Sequence, residues 1–225
     1  MSKVVIFGSG KVAEQAYYYL TNDSPHNVAA FSVDTEFLTR NELFGRPVIP
    51  FEELAERYPP DDFKMFVAVG YQQLNRLRAQ KYNDCKARGY ELISYVCSRA
   101  SNFGNCEIGD NCFVLENAVI QPCSKIGNDV FIWSGNHVGH HATVMDHCYI
   151  AGQVVISGGS TIEPYCFIGV NVAIGHEITI GRESFIGAGA LITKTVESRS
   201  VYIATDTPKY KLDSGTFLRL TKMKM

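Results

Sequence analysis

Four of the six histidines of this 225-residue chain crowd into eleven residues, at His137, His140, His141 and His147. A neutral imidazole, with an ordinary pKa of about 6.5, can take a proton from an attacking amine or hydroxyl near neutral pH. That chemistry suits acyl transfer, in which the nucleophile sheds a proton and backbone N–H groups steady the developing oxyanion. A second chemical feature lies near the amino terminus. Lys3 to Phe7 reads as a short buried strand running into Gly8-Ser9-Gly10-Lys11-Val12-Ala13, with a helical stretch from Val12 to Leu20. Strand, glycine turn and helix present backbone N–H groups to a phosphate. Val28 to Val33 reads as a second strand, and Asp34 stands at its end, where a dinucleotide fold places its ribose contact. The plain alternative for the glycines is a tight turn that packs a helix on a sheet.

The elements that must hold these residues follow from two periodicities. Stepping by six from Ile108, through Val114, Ile120 and Ile126, to Ile192 lands on valine or isoleucine fifteen times running; the flanking steps land on Asn102 and Ser198. A period of six matches neither a lone helix nor a plain alternating strand, and predicts a solenoid whose short strands each send one β-branched side chain inward. Two residues before these positions the side chain is mostly small, as at Cys106, Cys112, Cys148, Ser160 and Cys166, as a tight corner requires. Glycine often follows the aliphatic residue, for a positive φ or for backbone packed against its neighbour. The histidines occupy none of the inward positions, so they belong on corners or outer faces.

Ahead of the solenoid, strands alternate with helices. Pro47 to Tyr58 reads as a turn and short helix, Met65 to Val69 as a strand, Gln72 to Gly89 as a polar helix and Glu91 to Val96 as a last strand. The cations of that helix, Arg76, Arg78, Lys81, Lys86 and Arg88, read as a solvated face. The pattern predicts a small parallel α/β domain, half the size of a full dinucleotide-binding domain, so a mononucleotide portion fits better than NAD.

A net charge of −2 with no basic block argues against nucleic acid or an anionic membrane as partner. The apolar runs are too short to span a bilayer and the first ten residues lack a secretory layout, so a cytoplasmic enzyme is expected. Of seven cysteines, four take the small corner position; Cys85, Cys97 and Cys123 lack CxxC spacing, so no metal or redox pair is expected.

The hexads, with the glycine turn and Asp34 in front of them, resemble the bacterial hexapeptide-repeat sugar acetyltransferases. That group includes nucleotide-linked 4-amino-sugar N-acetyltransferases and the sialic acid O-acetyltransferase type. The resemblance implies an α/β plus all-β chain: a Rossmann-like nucleotide-sugar-binding domain over residues 1–97, then a left-handed parallel β-helix with its tail over residues 98–225. Three hexads would make a coil, giving about five coils. Carried over residue by residue, Ser9, Gly10, Lys11, Asp34, Thr35 and Gly70, with Tyr71, would hold the nucleotide of the sugar.

The family's base lies in a Val-x-His-Asp/Glu motif and aligns with His140 in Val138-Gly139-His140-His141. Here His141 replaces the carboxylate. Either Glu116 or Asp146 reaches the ring, or the base works unaided, or His140 and His141 exchange roles. Nine residues on, where the family contacts the thioester end of CoA, stands Tyr149, with His147 close by as a substitute. Val170 and Ala188 would lie along the pantetheine arm. His176 reads as a surface corner without a partner, its other reading being a CoA phosphate contact. Trp133 and Asn136 either border the sugar pocket or cap the core. Tyr202 to Pro208 lacks the glycine of the family's closing segment, and Lys209, Lys211, Arg219, Lys222 and Lys224 make the tail basic.

The implied activity is N-acetylation of a nucleotide-linked amino sugar with acetyl-CoA as co-substrate, no metal, and a homotrimer with its sites between subunits. An amine arrives partly deprotonated and asks little of a base without a carboxylate. Sugar O-acetylation of the sialic acid type is the near alternative. A zinc enzyme like the γ-type carbonic anhydrases would need a histidine well upstream of a closely spaced pair, which the bunched histidines do not offer. A non-catalytic sugar-nucleotide scaffold would bind nucleotide and not CoA.

Overall fold

The computed structural model describes residues 2–221; Lys222 and Lys224 of the basic tail lie outside them. Its first part contains, in order, β1 (Lys3–Phe7), α1 (Lys11–Asn22), β2 (Asn27–Val33), β3 (Glu42–Leu43), β4 (Arg46–Pro50), α2 (Leu54–Arg57), β5 (Phe63–Val67) and α3 (Arg76–Ala87). The sheet order is β3-β4-β2-β1-β5, parallel except for β3. Because β1 is covered on both faces, its run from Val4 to Phe7 is apolar and buried. Val4 and Ile6 pack with Ala13, Ala16 and Leu20 of α1, while Val5 and Phe7 face Leu54 of α2 and Tyr82 of α3. The expected last strand of this sheet is not one: Leu92 makes a single bridge to Met65, and Tyr95–Val96 is already the first strand of the solenoid.

From Tyr95–Val96 to Leu191–Ile192 a two-residue strand recurs every six residues, and Val201–Tyr202 closes the stack. The solenoid therefore begins before, and ends after, the valine and isoleucine register that reveals it. Partners in each sheet are eighteen residues apart, as with Val119 and His137 or Ile120 and Val138, so three strands make one coil. From Phe113–Val114 to Leu191–Ile192 the second residue of each strand points inward. Val114, Ile120, Ile132, Val138, Ile150 and their successors to Ile192 form one buried cluster.

The first residue of each strand points outward, which gives three different faces. One is aromatic: Tyr95, Phe113, Phe131, Tyr149, Phe167 and Phe185. The second is largely aliphatic: Val119, His137, Val155, Ala173 and Leu191. The third is polar: Glu107, Lys125, Thr143, Thr161 and Thr179. The front domain sits on the aromatic face, with Tyr19 edge-on to Phe113 at 5.8 Å and Phe66 stacked on Phe131 at 6.1 Å. Such ring pairs add to area burial, and they make the two parts share one core.

Corners are built by two devices. Three residues after each aliphatic position the backbone turns left-handed, at Asn111, Asn117, Cys123, Asp129, His141, His147 and onward. Asn, Asp and His tolerate that conformation better than most side chains, which is why polar residues gather there. The glycine that follows the aliphatic residue has an ordinary φ; it is needed for space, since a Cβ on Gly139 would stand 2.5 Å from the Gly158 nitrogen. The small corner residue ties coils together. The thiols of Cys112, Cys148 and Cys166 donate to the carbonyl oxygens of Gly127, Glu163 and Gly181 at 3.0, 3.1 and 3.2 Å, and Ser160 does the same to Gly175 at 2.7 Å. Burial pushes the Cys112 thiol up to about 12, so this cysteine is a compact donor and not a nucleophile.

Candidate active site

The cations expected to form one solvated face divide: Arg76, Lys86 and Arg88 are exposed, whereas Arg78 and Lys81 are buried. α3 lies along one corner of the solenoid, and its Arg78 is fully buried. Arg78 Nε donates to Asp129 Oδ1 at 3.0 Å, and its Nη atoms reach the carbonyls of Gly70, Asp129 and Cys148 at 3.0–3.2 Å. The guanidinium also lies 4.4 Å over the Phe131 ring. The Asn111 amide donates to Asp129 Oδ1 at 2.7 Å and also pairs with both backbone groups of Val67. Asn111, Asp129 and His147 are successive members of one corner column, eighteen residues apart.

His147 is thereby accounted for. Its Nδ1 is 2.9 Å from Asp129 Oδ2, and its ring packs between Tyr82 and Tyr165. It is buried in the seam between the two parts of the chain, at a different corner from His140. Tyr149 is withdrawn as well: it is 7% exposed and packs against Tyr71, Trp133 and Phe167. Burial pushes its phenol well above the ordinary value. Neither residue lies beside His140 within the chain. Asn136 caps the core, with Nδ2 on Ala151 O at 3.0 Å and Oδ1 accepting from Val154 N at 2.9 Å.

What the fold does gather at the next corner is a group of three imidazoles. His140 and His141 are exposed, with their Nδ1 atoms 3.2 Å apart. The His140 ring lies across Gly158, one coil on, where an added Cβ would meet its Cε1 at 2.7 Å. Beyond that glycine stands His176, its ring centroid 6.2 Å from that of His140. His176 is thus no isolated surface corner. It is His140 plus thirty-six, two coils along the same column, with a side-chain-free residue between, and the eighteen-residue period was the signal that could have found it. His176 Nε2 is in turn 3.4 Å from Glu177 Oε1.

No carboxylate among the described residues is within hydrogen-bond reach of the His140 ring. Glu116 accepts from Tyr19 and Ser134, both at 2.8 Å, on the opposite side of the coil, and Asp146 Oδ1 accepts from Asn128 N at 2.7 Å. Burial alone would raise the Glu116 carboxyl, but these hydrogen bonds outweigh it and hold the group below its ordinary value. Val170 and Ala188 are exposed and stacked on the third corner, at the end of the aromatic face. Among the described residues no cluster of three or more His, Cys, Asp or Glu is placed to hold a metal ion, and no helix is long and apolar enough to cross a membrane.

In the front domain Gly8 has φ 120°, and a Cβ there would stand 2.8 Å from the Ala68 carbonyl, so this glycine is dictated by the turn itself. Gly10 caps α1, with Ser9 half-buried and Lys11 exposed beside it. A Cβ on Gly10 would meet nothing within 4 Å, so the start of α1 is open there. Asp34 at the end of β2 is not free: Lys81 Nζ of α3 lies 2.5 Å from its Oδ1 and sits over the rings of Phe7 and Phe51. Thr35 donates its backbone N–H and hydroxyl to Glu52 at 3.2 and 2.7 Å. Lys81 and Glu52 were not legible as members of this region, because both pairings join residues far apart in sequence. Gly70 is half-buried and Tyr71 exposed, where β5 gives way to α3.

Residues 123–158 and 159–194 match the family described as bacterial transferase hexapeptide (six repeats). No curated protein sequence matches the chain significantly. Among solved structures, a histidine-to-asparagine mutant of perosamine N-acetyltransferase from Caulobacter crescentus, in complex with CoA and GDP-perosamine, superposes with a TM-score of 0.81 at 24% identity. That match covers 89% of this chain and 93% of the other. The acetyltransferase domain of PglB from Neisseria gonorrhoeae, in complex with acetyl coenzyme A, gives 0.77 at 23% identity over 88% and 94%. WeeI from Acinetobacter baumannii gives 0.74 at 18% identity over 89% and 96%. At these identities what is shared is the fold, an α/β domain seated on a left-handed parallel β-helix. The family match, over residues 123–194, lies wholly within the hexads that run in unbroken register.

Proposed function

We propose that the chain is an acetyl-CoA-dependent N-acetyltransferase acting on the amino group of a nucleotide-linked amino sugar, with His140 as general base. The observation that carries this reading is the seating of His140, an exposed imidazole fixed against Gly158 on a solenoid corner, in a fold shared with a solved enzyme holding CoA and GDP-perosamine. In the reaction the amine nitrogen attacks the thioester carbonyl and its proton passes to His140 Nε2. The C–S bond then breaks, and the thiolate of CoA takes that proton, leaving the amide and free CoA.

The substrate's nucleotide is assigned to the front domain: its phosphates to Ser9, Gly10 and Lys11 at the start of α1, and its nucleoside to Asp34, Thr35 and Gly70. Val170 and Ala188 are assigned to the pantetheine arm. They stand on a different edge of the prism from His140, so base and arm come together only where two copies meet. We therefore assign the active form to a homotrimer. The aliphatic face between those edges supports this, with Val155 42% and Leu191 71% exposed. Seven free cysteines suit a reducing compartment, and the cytoplasm is the assigned location.

The test is acetyl transfer from acetyl-CoA to UDP-, GDP- and dTDP-linked 4-amino sugars, followed as free CoA and acetylated product. H140A is expected to lower kcat about 10²- to 10⁴-fold while nucleotide binding, measured by thermal shift with UDP, GDP and dTDP, is unchanged. Full activity in H140A, or turnover of none of the amino sugars, overturns the reading.

A further inference from the structure

We infer that His141 is the positioning partner of His140, holding its Nδ1–H and so leaving Nε2 as the basic atom; this rests on the assignment of His140 as the base. An Nδ1···Nδ1 separation of 3.2 Å is a hydrogen bond only if one ring carries a proton on Nδ1 and the other does not. Two arrangements satisfy that condition. If His141 donates, the His140 proton sits on Nε2 and the ring offers substrate no lone pair there. If His140 donates, its Nε2 is bare, and the proton that His141 keeps is on its own Nε2. Only the second arrangement makes a base at the outer nitrogen, and it needs no carboxylate.

The surroundings of the two rings differ in a way that fits these roles. His140 is fixed on several sides: its backbone N–H donates to Gln121 Oε1 at 2.9 Å, its ring lies flush on Gly158, and His176 stands at its far edge. His141 sits at a left-handed corner, with its backbone N–H on Pro122 O at 3.3 Å and its ring edge-on to His140. The one carboxylate in the group, Glu177, contacts His176 and stands one imidazole away from His140. The acceptor for the His140 proton is therefore the adjacent imidazole, in the role that an acidic side chain serves when it orients a histidine base.

The proton position is read directly, without substrate, from the ¹⁵N spectrum of the imidazoles in the wild-type protein and in H141L and H141N. Expected in the wild type is a His140 ring protonated at Nδ1 and bare at Nε2; H141L loses that signature. H141N keeps it, because the asparagine carbonyl accepts at the same place. In the acetyl-transfer assay H141L is expected to lose about 10- to 100-fold in kcat with KM for acetyl-CoA unchanged, part of the about 10²–10⁴ that a positioned base supplies. H141N should stay within about threefold of wild type.

A His140 ring protonated at Nε2 in both wild type and H141L overturns the inference. So does an H141N as impaired as H141L, or an H141L that is fully active. A role exchange, with H140N tolerated and every His141 variant inactive, also overturns it. Failure of the base assignment itself shows separately, as full activity in H140A, and leaves the ¹⁵N result standing.

Discussion

At the scale of single residues, what a polar group does here is decided by which corner column it falls on. His140, His141 and His147 are neighbours in sequence, yet the first two stand in solvent while the third is sealed against Asp129. Arg78 and Asp129, both fully buried, satisfy one another along with three backbone carbonyls; removing one partner of such a pair typically costs about 3–5 kcal/mol. Glu116 offers a test by pH. Its folded pKa is depressed by Tyr19 and Ser134, so the stability it contributes is present in full above its ordinary value of 4.5 and is lost as pH falls through the lowered one. Urea denaturation of E116Q should accordingly show a smaller loss of midpoint on acidification below pH 4.5 than the wild type shows.

At the scale of elements, the solenoid works as a ruler. A side chain is stacked on those eighteen residues away, and a glycine in the column makes a seat for its neighbour. Gly158 has an ordinary φ, and the nearest atoms an added Cβ would meet all belong to the His140 ring, the closest at 2.7 Å. G158A should therefore push the ring off its seat and leave the coil intact. The expected outcome is a kcat loss of about tenfold or more, with a stability change under about 0.5 kcal/mol in thermal denaturation. α3 is the other decisive element. By lying along the corner of Asn111, Asp129 and His147, and by pairing Lys81 with Asp34, it couples the Asp34 end of the front sheet to the solenoid.

At the scale of the whole molecule, the three faces divide the work. The aromatic face is covered by the chain's own front domain and the threonine face suits solvent. The aliphatic face is left partly bare between the edges that carry His140 and the pair Val170 and Ala188. Charges there should keep copies apart: the double variant V155E/L191E is expected to run as a monomer in light scattering, retain its β-rich circular dichroism, and lose turnover. A monomer with full activity would show that base and pantetheine arm belong to one chain.

The hexad register by itself determined the solenoid, because a period of six leaves no other way to bury fifteen aliphatic residues on one side of the chain. It also placed the histidines outside the core, and the glycine turn with its flanking strand and helix marked the front domain. The solenoid's true ends were hidden, since Asn102 interrupts the aliphatic run between Val96 and Ile108, and Val201–Tyr202 carries strand geometry out of the six-residue phase. The eighteen-residue columns, including the aromatic one from Tyr95 to Phe185 and the link from His140 to His176, were present in the spacing but gain meaning only once three strands are known to close a coil. The pairings of Arg78 with Asp129 and of Lys81 with Asp34 were decided by tertiary structure alone. They join residues 51 and 47 apart, and whether a cation on a polar helix is solvated or buried depends on what the fold lays against it, which no local pattern records.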